Sequence, residues 1–133
     1  MSKEEISKPE IKPGARLWMA CDEKFFGPGA ARLFTLIDKY RSITSACQEM
    51  DLSYSKAHLI IKKMEKLLGK KMVLVQRGGK GGASAALSIS GRELIVRYEA
   101  YSKECADLIK GAFDRHFEGY EWFGKKPGKK PRA

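Results

Sequence analysis

One segment limits the choice of fold more than any other: residues Tyr54 to Leu68, in which apolar side chains recur at helical spacing up to Gly69. When residues are placed about 100° apart, the apolar side chains fall within one stripe and polar groups dominate the opposite side. The apolar stripe consists of Ala57, Ile60, Ile61, Met64, Leu67 and Leu68. The opposite side carries Ser55, His58, Leu59, Lys62, Lys63 and Lys66. A glycine after the last apolar residue is typical of a helix end, so we predict a helix from about 54 to 68 with one buried and one basic face.

Two shorter helical patterns precede this segment. From Ala30 to Tyr40 the apolar residues recur at steps of three and four, and a second pattern runs from the hydroxyl-rich stretch Ser42–Ser45 to Met50. Before them, Arg16–Asp22 predicts a strand. Three helices joined by very short links, the third of them basic on its outer side, are typical of a helix-turn-helix unit.

Two apolar runs follow, Met72–Gln76 and Ala85–Ile89, on either side of the glycine-rich segment 77–84. Such runs predict a β-hairpin, and a hairpin placed after a helix-turn-helix unit is a wing. A phosphate-binding loop is the other interpretation of the glycines, but Lys80 is not followed by Ser or Thr and no helix is expected there. We therefore expect a mainly α fold with a small β-hairpin wing, a winged helix-turn-helix.

A long C-terminal helix is predicted to start at Ser90, which forms a capping-box pattern with Glu93. One apolar seam along this helix alternates steps of four and three, and it comprises Leu94, Tyr98, Tyr101, Cys105, Leu108 and Ala112. Ile95, Ile109 and Phe113 form a second stripe. One stripe can cover the core, and we expect the seam to pair with a second copy, which would make this a dimerisation helix. The alternative is that both stripes close an intramolecular core.

The net charge of +10 is concentrated in two segments. The first 52 positions are neutral overall, residues 53–82 carry +7, and the last twelve add +5. A local excess of this size attracts a polyanion, and nucleic acid is the common one in a cytoplasm, although a solvated lysine face that only aids solubility has the same composition. The groups expected to contact double-stranded DNA are Ser53, Tyr54, Ser55, Lys56, His58, Lys62, Lys63, Arg77, Gly79, Lys80 and Gly81.

These groups are expected to act in different ways. The lysines and Arg77 would contact phosphates, which position a protein without specifying sequence, whereas His58 could contact a base edge. Tyr54 falls nearer the buried stripe, so we expect its ring to pack and its hydroxyl to reach a phosphate. The wing glycines would let Lys80 approach the DNA backbone closely, because no side chains intervene.

Other classes of protein are disfavoured by what the composition lacks. No apolar run approaches the roughly 20 residues of a membrane span, and the first residues do not form a secretion signal. Cys21, Cys47 and Cys105 form no paired motif, so we expect a reducing, cytoplasmic location and no metal or other cofactor. The missing span predicts no membrane partner. No carboxylate pair, nucleophile with a base or metal cluster is evident, so we expect no enzymatic activity. The expected organisation is a flexible segment 1–14, a DNA-binding and dimerisation domain 15–121 and a basic disordered tail 122–133.

Several short motifs together resemble a known family. They are Ser42–Ala46, Leu52–Tyr54, Ala57, Leu74–Val75, Arg77, the GGKGG sequence 78–82, Ala86–Ser88, Gly91, Leu94–Ile95 and Tyr98. Over about residues 15 to 117, the chain is similar to the N-terminal, LysR-like winged-helix DNA-binding domain of the ModE family of molybdate-responsive transcriptional regulators. The resemblance implies a homodimer held by the C-terminal helix, with the third helix in the major groove and the wing near the DNA backbone.

The chain also departs from the pattern of that family. Members continue into C-terminal domains that bind molybdate or tungstate, whereas here only a basic arm is expected after Tyr120. The wing is shorter, because Gly78 directly follows Arg77. His58 and Leu59 stand where the family typically carries tryptophan and aspartate, so an operator preference does not transfer.

Three functions remain open at this point. The first is a homodimeric, sequence-specific DNA-binding transcriptional regulator, with helix 54–68 in the major groove and wing 77–84 on the backbone. The second is a non-specific architectural protein that coats DNA. The third is an adaptor winged helix that docks onto a separate effector-binding protein.

Overall fold

The computed structural model of the chain describes residues 10–77 and 84–121. The elements are β1 Met19–Ala20, β2 Lys24–Phe26, α1 Pro28–Tyr40, α2 Ile43–Met50, α3 Tyr54–Leu68, β3 Val73–Gln76, β4 Ser84–Leu87 and α4 Ile89–Phe117. β1 pairs with β2 and β3 pairs with β4, both antiparallel. The mainly helical fold with a small hairpin and a long last helix is a winged helix, as predicted. Within the two described ranges no helix has the length and apolar character needed to cross a membrane.

Local capping sets the bounds of α2 and α3. Ser42 accepts a hydrogen bond from the Ser45 backbone N–H at 3.0 Å and starts α2, and Ser53 accepts one from Lys56 N–H at 3.0 Å and starts α3. α2 ends at Asp51 and α3 at Gly69, both in the left-handed conformation with φ of 56° and 68°. These caps leave only three residues, 51–53, between α2 and α3. The predicted bounds of α3 are confirmed.

α1 and α3 supply the centre of the core. Leu33, Phe34 and Ile37 of α1 and Met64 of α3 are fully buried, and Ala57 and Ile61 of α3 are buried beside them. The apolar stripe predicted for α3 is therefore confirmed in its first three turns. Leu67 and Leu68 at the end of the helix are exposed instead.

The single strand predicted over Arg16–Asp22 is wrong, because the chain turns back within it. The backbone N–H of Cys21 donates to the carbonyl of Glu23 at 3.1 Å, which closes a turn between β1 and β2. Phe26 at the end of β2 is buried and contacts Phe34 and Tyr98 edge to face, with ring centroids 5.8 and 5.0 Å apart. The burial of one aromatic residue thus stabilises a hairpin with only five strand residues.

The wing consists of β3 and β4, in register from Val73 opposite Leu87 to Gln76 opposite Ser84. Both strands are attached to helices. The Glu65 carboxylate of α3 accepts hydrogen bonds from the backbone N–H groups of Met72 and Val73, and the Ala85 N–H of β4 donates to the carbonyl of Arg41 at 3.0 Å. The predicted hairpin is confirmed, and its link, residues 78–83, lies outside the described residues.

α4 begins at Ile89, and the predicted Ser90–Glu93 capping box is wrong. Ser88 caps the helix instead: its hydroxyl accepts from the Gly91 N–H at 3.0 Å and donates to the Lys71 carbonyl at 2.6 Å. Glu93 forms an ion pair with Arg97 at 3.0 Å, one turn along the helix. Ser88 has a distant partner in the segment just before β3 as well as a local one, whereas a Ser90 cap would have only local partners. β4 accordingly ends at Leu87 rather than Ile89.

The chain divides into two compact units. One is Arg16–Ser102, which contains all the elements up to the middle of α4. The described residues before and after it belong to the other, where Phe113 and Phe117 contact each other with ring centroids 5.1 Å apart.

Candidate nucleic-acid interface

α3 and its N-cap Ser53 present most of the polar groups that the sequence analysis singled out. All of them are exposed: Ser53, Tyr54, Ser55, Lys56, His58, Lys62 and Lys63. They lie opposite or beside the buried positions Ala57, Ile61 and Met64, because residues three and four apart share a face of a helix. The sequence therefore brings one hydroxyl-rich helix end and a row of lysines onto one surface.

Tyr54 does not pack against the core, which corrects the role predicted for its ring. Its side chain is 51% exposed and stacks on His58, with ring centroids 6.2 Å apart and planes inclined by 17°. Burial of α3 begins only at Ala57, so the first turn extends past the core. The tyrosine and histidine, four positions apart, form a small aromatic surface on the exposed face.

The lysines of this region differ in what they contact. Lys62 lies 3.6 Å from the Glu65 carboxylate, and Lys63 lies 3.2 Å from that of Glu23. Lys63 also donates to the carbonyl of Lys24 at 3.4 Å, which directs it toward the β1–β2 hairpin. Within residues 10–77 and 84–121, Lys56 and Lys66 have no carboxylate partner. Among the lysines of α3, these two ammonium groups are the most available to an added polyanion.

Glu65 is a residue of this surface that the sequence analysis did not single out. Burial raises its pKa, but the backbone N–H groups of Met72 and Val73 and then the ammonium groups of Lys71 and Lys62 outweigh burial and lower the pKa below its ordinary value. The carboxylate thus connects α3, two lysines and the start of the wing. A signal was present, since Glu65 is the one acid among residues 53–82.

The wing groups are only partly within the described residues. Arg77 is exposed at the end of β3, and Leu74 and Val75 of the same strand are exposed as well. Gly79, Lys80 and Gly81, expected at the DNA backbone, lie outside the described residues. Their role stays a prediction.

The seam predicted on α4 is divided by the structure. Tyr98 is 8% exposed, donates from its hydroxyl to the Leu17 carbonyl at 2.6 Å and packs against Phe26. It is therefore a core residue of this chain, which corrects its assignment to an accessible seam. Leu94 is half-buried against the same core, and Ile95 of the second stripe is buried. Positions 91, 95 and 98 of α4 face the core, so part of the predicted seam is buried within one chain.

The rest of that seam is accessible to a partner. Tyr101 and Leu108 are exposed, and Cys105 and Ala112 are half-buried. Ile109 and Phe113 of the second stripe are also half-buried. Pairing of this surface with a second copy stays a prediction.

Metal binding would need several ligands close together. The part of the chain that the structure describes contains no group of three or more His, Cys, Asp or Glu residues placed to hold a metal ion. Cys47 is buried, and burial raises the pKa of its thiol.

No protein-family profile matches the chain. It is similar to the molybdenum-pterin-binding protein MopB of Rhodobacter capsulatus, with 36% identity over 83 residues. That alignment covers 61% of this chain and 31% of the relative. The chain thus spans about a third of the length of the relative, whose name describes a binding protein rather than an enzyme.

Proposed function

We propose that the chain is a homodimeric, sequence-specific, double-stranded DNA-binding transcriptional regulator of the ModE type. The observation that carries the proposal is the exposed, basic, hydroxyl-rich start of α3 within a winged helix. The helix follows a three-residue link from α2, as the second helix of a helix-turn-helix unit does. Such helices insert their N-terminal residues into the major groove.

The chemistry of this surface suits a duplex. Hydroxyl groups of Ser53 and Ser55 and the ammonium groups of Lys56 and Lys66 are exposed donors of the kind that contact phosphate oxygens. His58 and Tyr54, stacked on the same face, offer ring nitrogens and a hydroxyl to base edges. Arg77 at the end of β3 would contact the flanking backbone.

The relative supports a connection with molybdenum. Similarity to a molybdenum-pterin-binding protein agrees with the resemblance to molybdate-responsive regulators, and it makes molybdate the first effector to test. Binding of a molybdenum pterin by this chain itself is the second candidate function, and it is favoured by the similarity to that relative alone.

The test is binding of the full chain to duplexes selected from a random pool, with and without molybdate. If about five basic groups per subunit contact phosphates, the log–log slope of affinity against salt should be about −5 to −9. Random duplex should compete poorly. Equal competition by random duplex would favour an architectural protein, and absence of binding to any duplex would favour the adaptor function.

A charge-matched pair of variants locates the surface. Lys56→Gln should weaken binding to all duplexes and reduce the salt slope by about one per lysine removed. Lys103→Gln, which removes the same charge from an exposed position on α4, should leave both quantities unchanged. Equal effects of the two substitutions would contradict an α3 interface and indicate a response to net charge only.

A further inference from the structure

Leu59 is the large aliphatic side chain at the middle of the outer face of α3. It is 68% exposed, and it lies on the side of the helix opposite Ala57, Ile61 and Met64. A singly exposed leucine is common on protein surfaces, so exposure alone indicates nothing. Its position on the surface assigned above to DNA is what calls for an explanation.

The neighbours of Leu59 on adjacent turns are all polar or charged. Ser55 and Lys56 precede it by four and three positions, and Lys62 and Lys63 follow by three and four. These four side chains are exposed, and Lys62 and Lys63 also lie near the carboxylates of Glu65 and Glu23. The centres of protein–protein interfaces are depleted in lysine, so an isolated leucine encircled by a hydroxyl and three ammonium groups does not fit a protein partner. A duplex fits this charge pattern, with phosphates outside and base edges inside.

Leucine can read only one feature of a major groove. It has no donor or acceptor, and the apolar group that a standard base pair presents in that groove is the C5-methyl of thymine. Leu59 lies about 7.5 Å along the helix axis from Tyr54, within the N-terminal part of the helix from which recognition helices contact bases. Hydroxyl and ammonium groups on either side would hold the backbone while the leucine contacts the methyl.

We infer that Leu59 is a specificity residue that contacts the C5-methyl group of a thymine in each half-site. This inference rests on the proposed function and adds to it a chemical requirement on the operator. 5-Methylcytosine presents the same methyl group, and the experiment separates the two sources.

The experiment starts from the duplex that the full chain selects and replaces each thymine of one half-site, in turn, by deoxyuridine, which lacks only the methyl. Replacement at one position should lower the affinity of the protein for the duplex about fourfold when one half-site is changed. It should lower the affinity about fifteenfold when both half-sites are changed, as expected for the loss of one buried methyl group in each. For Leu59→Ala, replacing that thymine should have no effect. Leu67→Ala, an exposed leucine of the same helix away from this face, should retain the wild-type response.

Three results would overturn the inference. One is tight, selective binding that no thymine replacement alters. Another is that replacing thymine by deoxyuridine lowers the affinity of the wild type and of Leu59→Ala by the same factor. The third is a gain in affinity only when cytosines are replaced by 5-methylcytosine, which would assign the contact to that base. Absence of binding to any duplex would instead overturn the proposed function on which the inference rests.

Discussion

At Gly91 the lack of a side chain allows α4 to start close to the wing strand. A Cβ atom there would collide with the carbonyl oxygen of Met72, which already accepts a hydrogen bond from Ser88 N–H at 2.8 Å. Neither backbone can move away without loss of that bond. Glycine is thus needed for close approach rather than for an unusual backbone conformation.

We expect Gly91→Ala to lower the free energy of unfolding by about 1 to 3 kcal/mol, because overpacking exceeds the gain in helix propensity. Gly111→Ala in the same helix is the matched control. Its Cβ would come no closer than 3.7 Å, to the Arg115 guanidinium, so it should stabilise by about 0.5 to 1 kcal/mol. Urea unfolding at one protein concentration measures both, and a Gly91→Ala variant as stable as wild type would contradict the packing described.

At the scale of the elements, Glu65 connects α3 to the wing. Its side chain is 10% exposed, and its carboxylate accepts from Met72 and Val73 N–H at 2.9 and 3.2 Å. The pKa of Glu65 is lower in the folded state, so the ionised carboxylate stabilises the fold at pH values above the unfolded pKa of about 4.3. This stabilisation is lost as the pH falls through the folded-state pKa.

Glu65→Gln should therefore cost about 1 to 2 kcal/mol of unfolding free energy at pH 7, since charge-assisted hydrogen bonds become neutral ones. The difference from wild type should shrink below about pH 4. Glu93→Gln, which removes an exposed pair with Arg97, should change stability by less than about 0.5 kcal/mol. Chemical unfolding at pH 7 and at acidic pH tests this, and a difference independent of pH would refute the role of the ionised carboxylate.

Elements whose ends depend on local chemistry were predictable, and those that depend on distant partners were not. Ser53 and Gly69 cap α3 through groups within four residues, so the sequence pattern located both ends. The start of α4 was misplaced because Ser88 bonds to Lys71, seventeen positions away. The β1–β2 hairpin was missed because two strands of two and three residues carry too little periodicity. At the candidate site, the exposure of the polar groups followed from the helical pattern, whereas the Tyr54 stack and the Glu65 hydrogen bonds depend on the folded structure.

At the scale of the whole molecule, the proposed dimer depends on the part of the α4 seam that one chain leaves accessible. Leu108→Glu places a charge at a 64% exposed seam position and should yield a monomer, with DNA affinity reduced about a hundredfold or more because two half-sites no longer act together. Val96→Glu, at a position that is 60% exposed on the side of the helix opposite the seam, should leave the oligomeric state and the DNA affinity unchanged. Analytical ultracentrifugation and duplex titration measure these outcomes, and a dimeric Leu108→Glu protein would place the interface elsewhere.

The wing is attached at three separate helices: to α3 through Glu65, to the end of α1 through the Arg41 carbonyl, and to α4 through Ser88. Folding alone therefore sets the gap between the helix assigned to the bases and the described strands of the hairpin. A duplex whose groove is too narrow or too wide for that gap would have to bend or twist to match it, since these hydrogen bonds hold the wing against the helices. Stiff and pliable DNA sequences would then differ in affinity even at base pairs that no side chain contacts.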